Sequence, residues 1–241
     1  MLMAVFCLGA SFIGINAQEK DWASLQRYAQ QNAELPKPEK NEKRVVFIGN
    51  SITEGWVNTH PDFFKNNGYI GRGIGGQTSY QFLVRFREDV INLSPALVVI
   101  NAATNDIAEN TGTYHEDRTF GNIVSMVELA KANHIKVILT TTLPAAGFGW
   151  NPSIKDAPQK IASLNARLKA YAKANKIPFE ILHDGGHRSV RRYGLLKFGN
   201  DVFHVATFQF PDVNHHFFFL HCQLFHGVCL ITFISQSYET V

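Results

Sequence analysis

Three cysteines, Cys7, Cys222 and Cys229, are all that the 241 residues contain. They form no CxxC, and no Cys/His set has zinc-ligand spacing, which argues against a disulfide framework and a structural metal. There is no GxxxxGK[ST] string, so nucleotide-phosphate binding lacks its signature, and no cofactor is expected. No apolar run reaches the roughly 20 residues needed for a stable membrane span. Charge of one sign is also scarce: 23 basic and 20 acidic residues leave +3. A balance that small gives no reason to expect nucleic acid or an anionic membrane as partner. Internal repeats are absent. With 45% hydrophobic and 18% charged residues, the composition excludes disordered and low-complexity scaffolds. The length suits one α/β domain and is short for two.

The first apolar run, Leu2 to Ile15, is rich in small residues and ends at Asn16-Ala17. It reads as the core of a secretory signal peptide, residues 1–17, with cleavage after Ala17 and a secreted or periplasmic product. No Lys or Arg precedes the run, and a buried N-terminal element is the other reading. Residues 18–43 then read as an N-terminal helix and linker. Trp22, Leu25, Tyr28 and Ala29 are spaced for an amphipathic helix over Gln18 to Glu34, and Pro36 and Pro38 end it.

From Arg44 onward, strand and helix patterns alternate. Arg44–Gly49, Ala96–Asn101 and Lys136–Thr141 are short β-branched runs of the kind buried in parallel sheets, and Lys176–Phe179 begins another. Gly68–Gly73 is a further extended segment. Between them, Ser79–Asn92 follows a helix-starting Thr78. Ile123, Met126, Val127 and Ala130 form one apolar stripe, and Ile161, Leu164, Leu168 and Tyr171 form another. This alternation predicts an α/β fold: a three-layer α/β/α sandwich on a parallel, flavodoxin-like sheet, with an irregular C-terminal part. Ligands in such folds sit beyond the carboxyl ends of the strands.

Three strand ends carry chemistry-bearing residues. The first is Gly49-Asn50-Ser51-Ile52-Thr53-Glu54-Gly55, where a serine at a strand-to-helix turn is lifted above the sheet. A helix N-cap would also explain Ser51. The second is Gly73-Ile74-Gly75-Gly76-Gln77-Thr78-Ser79, whose glycine pair permits positive φ and a free N–H, or simply a tight turn. The third is Asn101-Ala102-Ala103-Thr104-Asn105-Asp106. Asn105 offers a neutral amide donor suited to an oxygen that becomes negative, or an Asx turn.

Together these blocks resemble the SGNH (GDSL-type) hydrolase family of secreted esterases and acylhydrolases. GNSITEGW at 49–56 resembles the block usually written GDS, GRGIGGQTS at 71–79 the glycine block, and NAATND at 101–106 the block written GxND. The resemblance covers about residues 44–179. It implies Ser51 as nucleophile, with Gly76 and Asn105 as oxyanion-hole residues. Asn50 stands where Asp is usual and Ala103 where Gly is usual.

The family takes its base and its orienting carboxylate from a C-terminal DxxHP block, which is absent here. Among the chain's DxxH strings are Asp184 with His187 and Asp201 with His204. The second lies at about the expected distance, with Val205 in place of Pro, so Asp201 and His204 are the expected pair. Composition shifts abruptly at Glu180. Residues 180–241 hold seven of the ten His and nine of the nineteen Phe, but one Lys and one Ala. This divergent segment suggests a shifted reading frame. Codons for His183 to Arg188, read one nucleotide later, can spell TMVDT. His215, His216, His221 and His226 stand among Phe and Leu rather than in a metal-ligand pattern, so no metal is expected. Phe217–Leu220 is an aggregation-prone run.

The function expected is serine-dependent hydrolysis of a carboxylic ester. The resemblance favours small acyl groups, acetyl on carbohydrate among them, with lysophospholipid and thioester as alternatives. The partner is then a small-molecule or carbohydrate ester, and the sequence implies no oligomeric state. A binding-only relative without a working base, and an anion-binding flavodoxin-like domain, are the readings from other classes. Trp56, Phe148 and Trp150 are either cleft-lining or packing residues. Sequencing the gene across the Phe179 codon is expected to reveal a frame change, and an intact frame at good coverage refutes it.

Overall fold

The five β-branched and glycine-ending runs pair in parallel into one sheet. In the computed structural model they are β1 (Val45–Gly49), β2 (Tyr69–Gly73), β3 (Leu97–Ile100), β4 (Lys136–Thr140) and β5 (Phe179–Glu180). The strand order is β2-β1-β3-β4-β5, every pair parallel. That is the flavodoxin-like winding expected of the sequence. The structure describes residues 21–180, and beyond them only the backbone of four short strands. These are β6 (Leu196–Phe198), β7 (Asp201–Phe203), β8 (Leu224–Phe225) and β9 (Val228–Cys229), paired antiparallel as β6–β7 and β8–β9. The signal peptide expected at 1–17, the metal reading of the C-terminal histidines and the frame change after Phe179 all fall outside the described residues.

The seven helices of the described residues are α1 (Ala29–Glu34), α2 (Ser51–Thr59), α3 (Pro61–Asn66), α4 (Ser79–Asp89), α5 (Thr104–Ile107), α6 (Glu116–Ala132) and α7 (Ala157–Ala174). Alternation along the strands divides their side chains between two layers. Val46, Ile48, Val98, Ile100, Val137 and Leu139 face one core, which is shared with Phe82 and Phe86 of α4, Met126 of α6 and Leu164 of α7. Val45, Phe47, Leu97, Val99 and Ile138 face the other, against Trp56 of α2 and Phe64 of α3. Burying each large apolar side chain contributes about 1.5–3 kcal/mol. Ile123, Met126, Val127 and Ala130 are all buried, as are Ile161, Leu164 and Leu168, so both stripes read from the sequence are core-facing.

One open alternative is decided and one expectation is corrected. Of the two readings of Trp56, packing holds. The side chain is buried on α2, stacked on Phe63 at 5.3 Å and edge-on to Phe47 at 5.2 Å. The segment before Pro36 is not one helix. A 3-10 turn, Leu25–Arg27, precedes α1, and Ser24 adopts a left-handed φ of 56°. The cause lies in its partners. Asp21 accepts hydrogen bonds from the N–H groups of Leu25 and Gln26, while Gln81 and Gln77 donate to the carbonyls of Trp22 and Ala23. Carbonyls held by side chains from α4 and the loop before it leave a helical ladder across residues 22–23 without its acceptors.

Glycine in β2 lets α2 lie close to the sheet. A Cβ on Gly73 would meet the backbone nitrogen of Glu54 at 2.2 Å and the carbonyl carbon of Thr53 at 2.7 Å. Backbone cannot rotate away, so Gly73→Ala forces α2 off the strand. Urea denaturation is expected to show a loss of about 3 kcal/mol, at the upper end of overpacking effects. An unchanged midpoint would mean that α2 and β2 are not so closely apposed.

Candidate active site

β1 ends at Gly49 and the chain turns at once into α2. Asn50, buried, is the N-cap: its Oδ1 accepts the Ile52 N–H at 3.0 Å. Capping is thus performed by Asn50, and Ser51, the exposed first residue of α2, is not needed for it. Among the described residues, neither the Ser51 hydroxyl nor its N–H has a hydrogen-bond partner.

The glycine loop after β2 approaches Ser51 directly. A Cβ built on Gly75 would lie 3.8 Å from the Ser51 Cβ. The Gly75 N–H donates to Glu54 Oε2 at 2.8 Å, and the other carboxylate oxygen of Glu54 accepts from Arg27 at 3.0 Å. Gly76 follows with φ +75°, the left-handed region that glycine enters without steric cost. Its N–H has no acceptor among the described residues. Its carbonyl accepts from Asn110 Nδ2 at 3.0 Å.

Asn105 lies in α5, past β3, and is 3% exposed. One amide hydrogen goes to the Gln77 carbonyl at 2.9 Å. It is therefore not an Asx turn satisfying its own loop. Its partner is the residue after Gly76. Ala103, just before α5, takes φ +83°. This is the position where the resembled family has Gly, and an alanine there carries a left-handed backbone at a cost of about 1–2 kcal/mol.

Three of the expected site residues thus surround one loop: Ser51 beside Gly75, Gly76 itself, and Asn105 on Gln77. Asp201 begins β7, and its side chain and His204 lie outside the described residues, as do Asp184 and His187.

Sequence reasoning missed the residues that hold this loop. Arg85 of α4 is fully buried and donates to Gln77 Oε1 at 2.7 Å, Asp89 Oδ2 at 2.8 Å and the Gly49 carbonyl at 3.0 Å. Burial lowers its pKa, opposed by the Asp89 carboxylate. Asp106 accepts from the Ser79 N–H at 2.9 Å, from the Ser79 hydroxyl, and from Thr119 at 3.2 Å, joining α5 to α4 and α6. Burial pushes its carboxyl up despite those hydrogen bonds. The Ser79 and Thr119 hydroxyls carry no periodic signal. Arg85, by contrast, sits three residues from Phe82, so the apolar period of α4 was the available clue.

A cavity of about 340 Å³ lies alongside, between the N-terminal segment and β2. Arg27, Tyr28, Glu54, Val57 and Arg72 contribute to its lining, but Ser51, Gly76 and Asn105 do not. It is an edge cavity rather than the strand-end site. Among the described residues no group of three or more His, Cys, Asp or Glu is placed to hold a metal ion. No helix among them is long and apolar enough to cross a membrane.

A parallel 2-1-3-4-5 sheet with serine, glycine and asparagine loops at its carboxyl edge defines an α/β protein of flavodoxin-like winding. Residues 47–204 match the pattern of the GDSL-like lipase/acylhydrolase family, and the chain belongs to that family of ester hydrolases. The chain is similar to a Bacteroides fragilis protein to which acylhydrolase activity has been ascribed. Identity is 94%, with 68% of this chain and 78% of that one covered and a TM-score of 0.67. A GDSL-like lipase from Bacteroides thetaiotaomicron gives 77% identity, coverage of 66% and 78%, and a TM-score of 0.65. The uncharacterized lipoprotein YqeF of Bacillus subtilis is 32% identical over 117 residues, 42% of this chain and 48% of that protein. The chain thus spans about half the length of that curated relative.

Glu54 spans the gap between α2 and the glycine loop. Removing its charged hydrogen bond in Glu54→Ala is expected to cost about 1–2 kcal/mol of stability, the ion pair to the exposed Arg27 adding little. Glu54→Gln keeps an acceptor for Gly75 and is expected to recover most of it. Thermal denaturation of both variants decides, and equal losses would show that the ion pair, not the loop contact, matters.

Proposed function

We propose that the protein is an exported carboxylic-ester hydrolase in which Ser51 attacks the acyl carbonyl. The Ser51 and Gly76 N–H groups and the second amide hydrogen of Asn105 then hold the tetrahedral oxyanion. The observation that carries this reading is the shared loop: Gly75 against Ser51, Gln77 bonded to Asn105, and two N–H groups without acceptors among the described residues. Preorganised donors of this kind stabilise charge only as it develops, which is where catalysis is gained.

The serine hydroxyl must lose its proton as it attacks, and a histidine within hydrogen-bond reach is the usual acceptor. His204, oriented by Asp201, is the proposed base. The family match runs to residue 204 and so takes in both. As the tetrahedral intermediate collapses the base gives that proton to the leaving alcohol and an acyl-Ser51 ester remains. A water that loses its proton to the same base then attacks this ester, and the base returns the proton to the Ser51 oxygen as the acid is released. Export is supported by the apolar run Leu2–Ile15 and by the similarity to a lipoprotein.

Hydrolysis of p-nitrophenyl acetate by the purified chain tests the assignment. Ser51→Ala is expected to abolish it, and Asn105→Ala to lower kcat by about 10²–10³. His204→Ala is expected to fall as far as Ser51→Ala, because members of such a unit act together. Equal rates for the parent chain and Ser51→Ala would reject Ser51 as nucleophile. Loss in Ser51→Ala but not in His204→Ala would move the base elsewhere, His187 of the Asp184 string being one such histidine.

A further inference from the structure

The loop after β4 carries an aromatic that neither the core nor the proposed chemistry uses. Trp150 is 59% exposed, more than any other large apolar side chain among the described residues. An indole left in water at a strand-end rim asks for a partner, since it holds a large apolar surface and a polar handle. Yet this ring is not loose. Its Nε1 donates to Asn110 Oδ1 at 2.9 Å, and it leans on the buried Phe148 with ring centroids 5.2 Å apart. The backbone beneath it is also pinned. Asn151 N–H closes onto the Phe148 carbonyl at 3.0 Å, and the Asn151 amide donates to the Ala108 carbonyl at 2.9 Å.

Asn110 is the connecting piece. The carboxamide that accepts from Trp150 also donates to the Gly76 carbonyl at 3.0 Å. The indole and the proposed oxyanion loop are therefore two ends of one hydrogen-bonded unit, a single side chain apart. A ring fixed before the ligand arrives loses little rotamer entropy on binding, which is how preorganisation raises affinity.

We infer that Trp150 is a stacking platform for a pyranose ring, the alcohol part of the ester, seated beside Gly76. This rests on the ester-hydrolase reading and names its substrate class. The surroundings favour a sugar over an acyl chain. An acyl chain needs an enclosed apolar groove. Here one aromatic face lies open, with the neutral carboxamides of Asn110 and Asn151 and the hydroxyl of Ser153 about it. A pyranose presents C–H groups to such a face and hydroxyls to such a rim. A ring on Trp150 would thus be joined through Asn110 to the loop of Gly76.

Affinity electrophoresis of the Ser51→Ala chain tests binding without turnover. The gels contain water-soluble acetates of cellulose, xylan and glucomannan in turn. At least one is expected to retard the chain. Adding Trp150→Ala is expected to weaken that retardation about tenfold, and Trp150→Phe, which keeps a stacking face, only a few-fold. Circular dichroism checks that both variants fold. In the Ser51 chain, Trp150→Ala is expected to raise KM for the retarding acetate about tenfold more than KM for ethyl acetate, which has no ring. No retardation in any gel, or equal retardation of the Trp150→Ala chain, overturns the platform. Retardation that depends on Trp150, with no hydrolysis of any ester, leaves the platform standing and sinks the hydrolase reading instead.

Discussion

The buried guanidinium of Arg85 is the interaction on which the strand-end geometry rests. Its three acceptors belong to three different pieces of chain: the end of β1 at Gly49, the glycine loop at Gln77, and the last turn of α4 at Asp89. A fully buried cation is tolerable only when it is paired and its donors are satisfied. All three acceptors must therefore stay where they are, and with them the places of Ser51 two residues after Gly49 and Gly76 one residue before Gln77. Uncoupling such a group leaves an unpaired buried charge, which costs about 3–5 kcal/mol. The loop that carries the proposed oxyanion donors is thus fixed by a charge in the core rather than by its own turn.

Around that centre the other ties are hydrogen bonds that cross from one loop to the next. Gln77 donates back to the Ala23 carbonyl, Tyr28 donates its hydroxyl to the Gly73 carbonyl, and Arg72 stacks over Tyr28 at 4.7 Å. Residues 21–34 are therefore a clasp over the glycine block, and their 3-10 turn and short helix follow from the carbonyls they must present. On the far side Asp106 binds Ser79 and Thr119, so the start of α4 is held from both flanks.

The centre of the sheet was legible because parallel strands buried on both faces read as unbroken β-branched runs, and β1, β3 and β4 appear where those runs stand. The stripes of α6 and α7 were legible for the same reason: the periodicity records which face is buried. Ser51, Gly76 and Asn105 could be placed near one another since each follows a strand of the same sheet. What stayed hidden has a common cause. The clasp at 21–34, the core position of Trp56 and the partners of Asn105 are set by contacts distant in sequence. Trp56 reads as a loop residue only until α2 is seen to pack on β1 and β2, with Phe63 and Phe64 closing over its ring. Arg85 and Asp106 look like ordinary polar residues on amphipathic helices, and only the buried acceptors around them reveal otherwise.

The two departures from the resembled family act in different ways. Asn50 keeps the capping bond that an aspartate would make, because its Oδ1 accepts from Ile52 just as a carboxylate does. It forgoes the attraction between a negative side chain and the helix N-terminus, about 0.3–1 kcal/mol. In return no anion stands on the residue before Ser51, where negative charge would oppose the alkoxide developing on the bound carbonyl. The nearby anion on the same helix, Glu54, is engaged by Gly75 N–H and Arg27. Ala103 gains nothing comparable. Its left-handed backbone is held only because α5 must turn immediately after β3 to bring Asn105 under Gln77. The strain therefore sits beside the residue whose position it secures, in keeping with the tendency of such backbone strain to collect at functional sites.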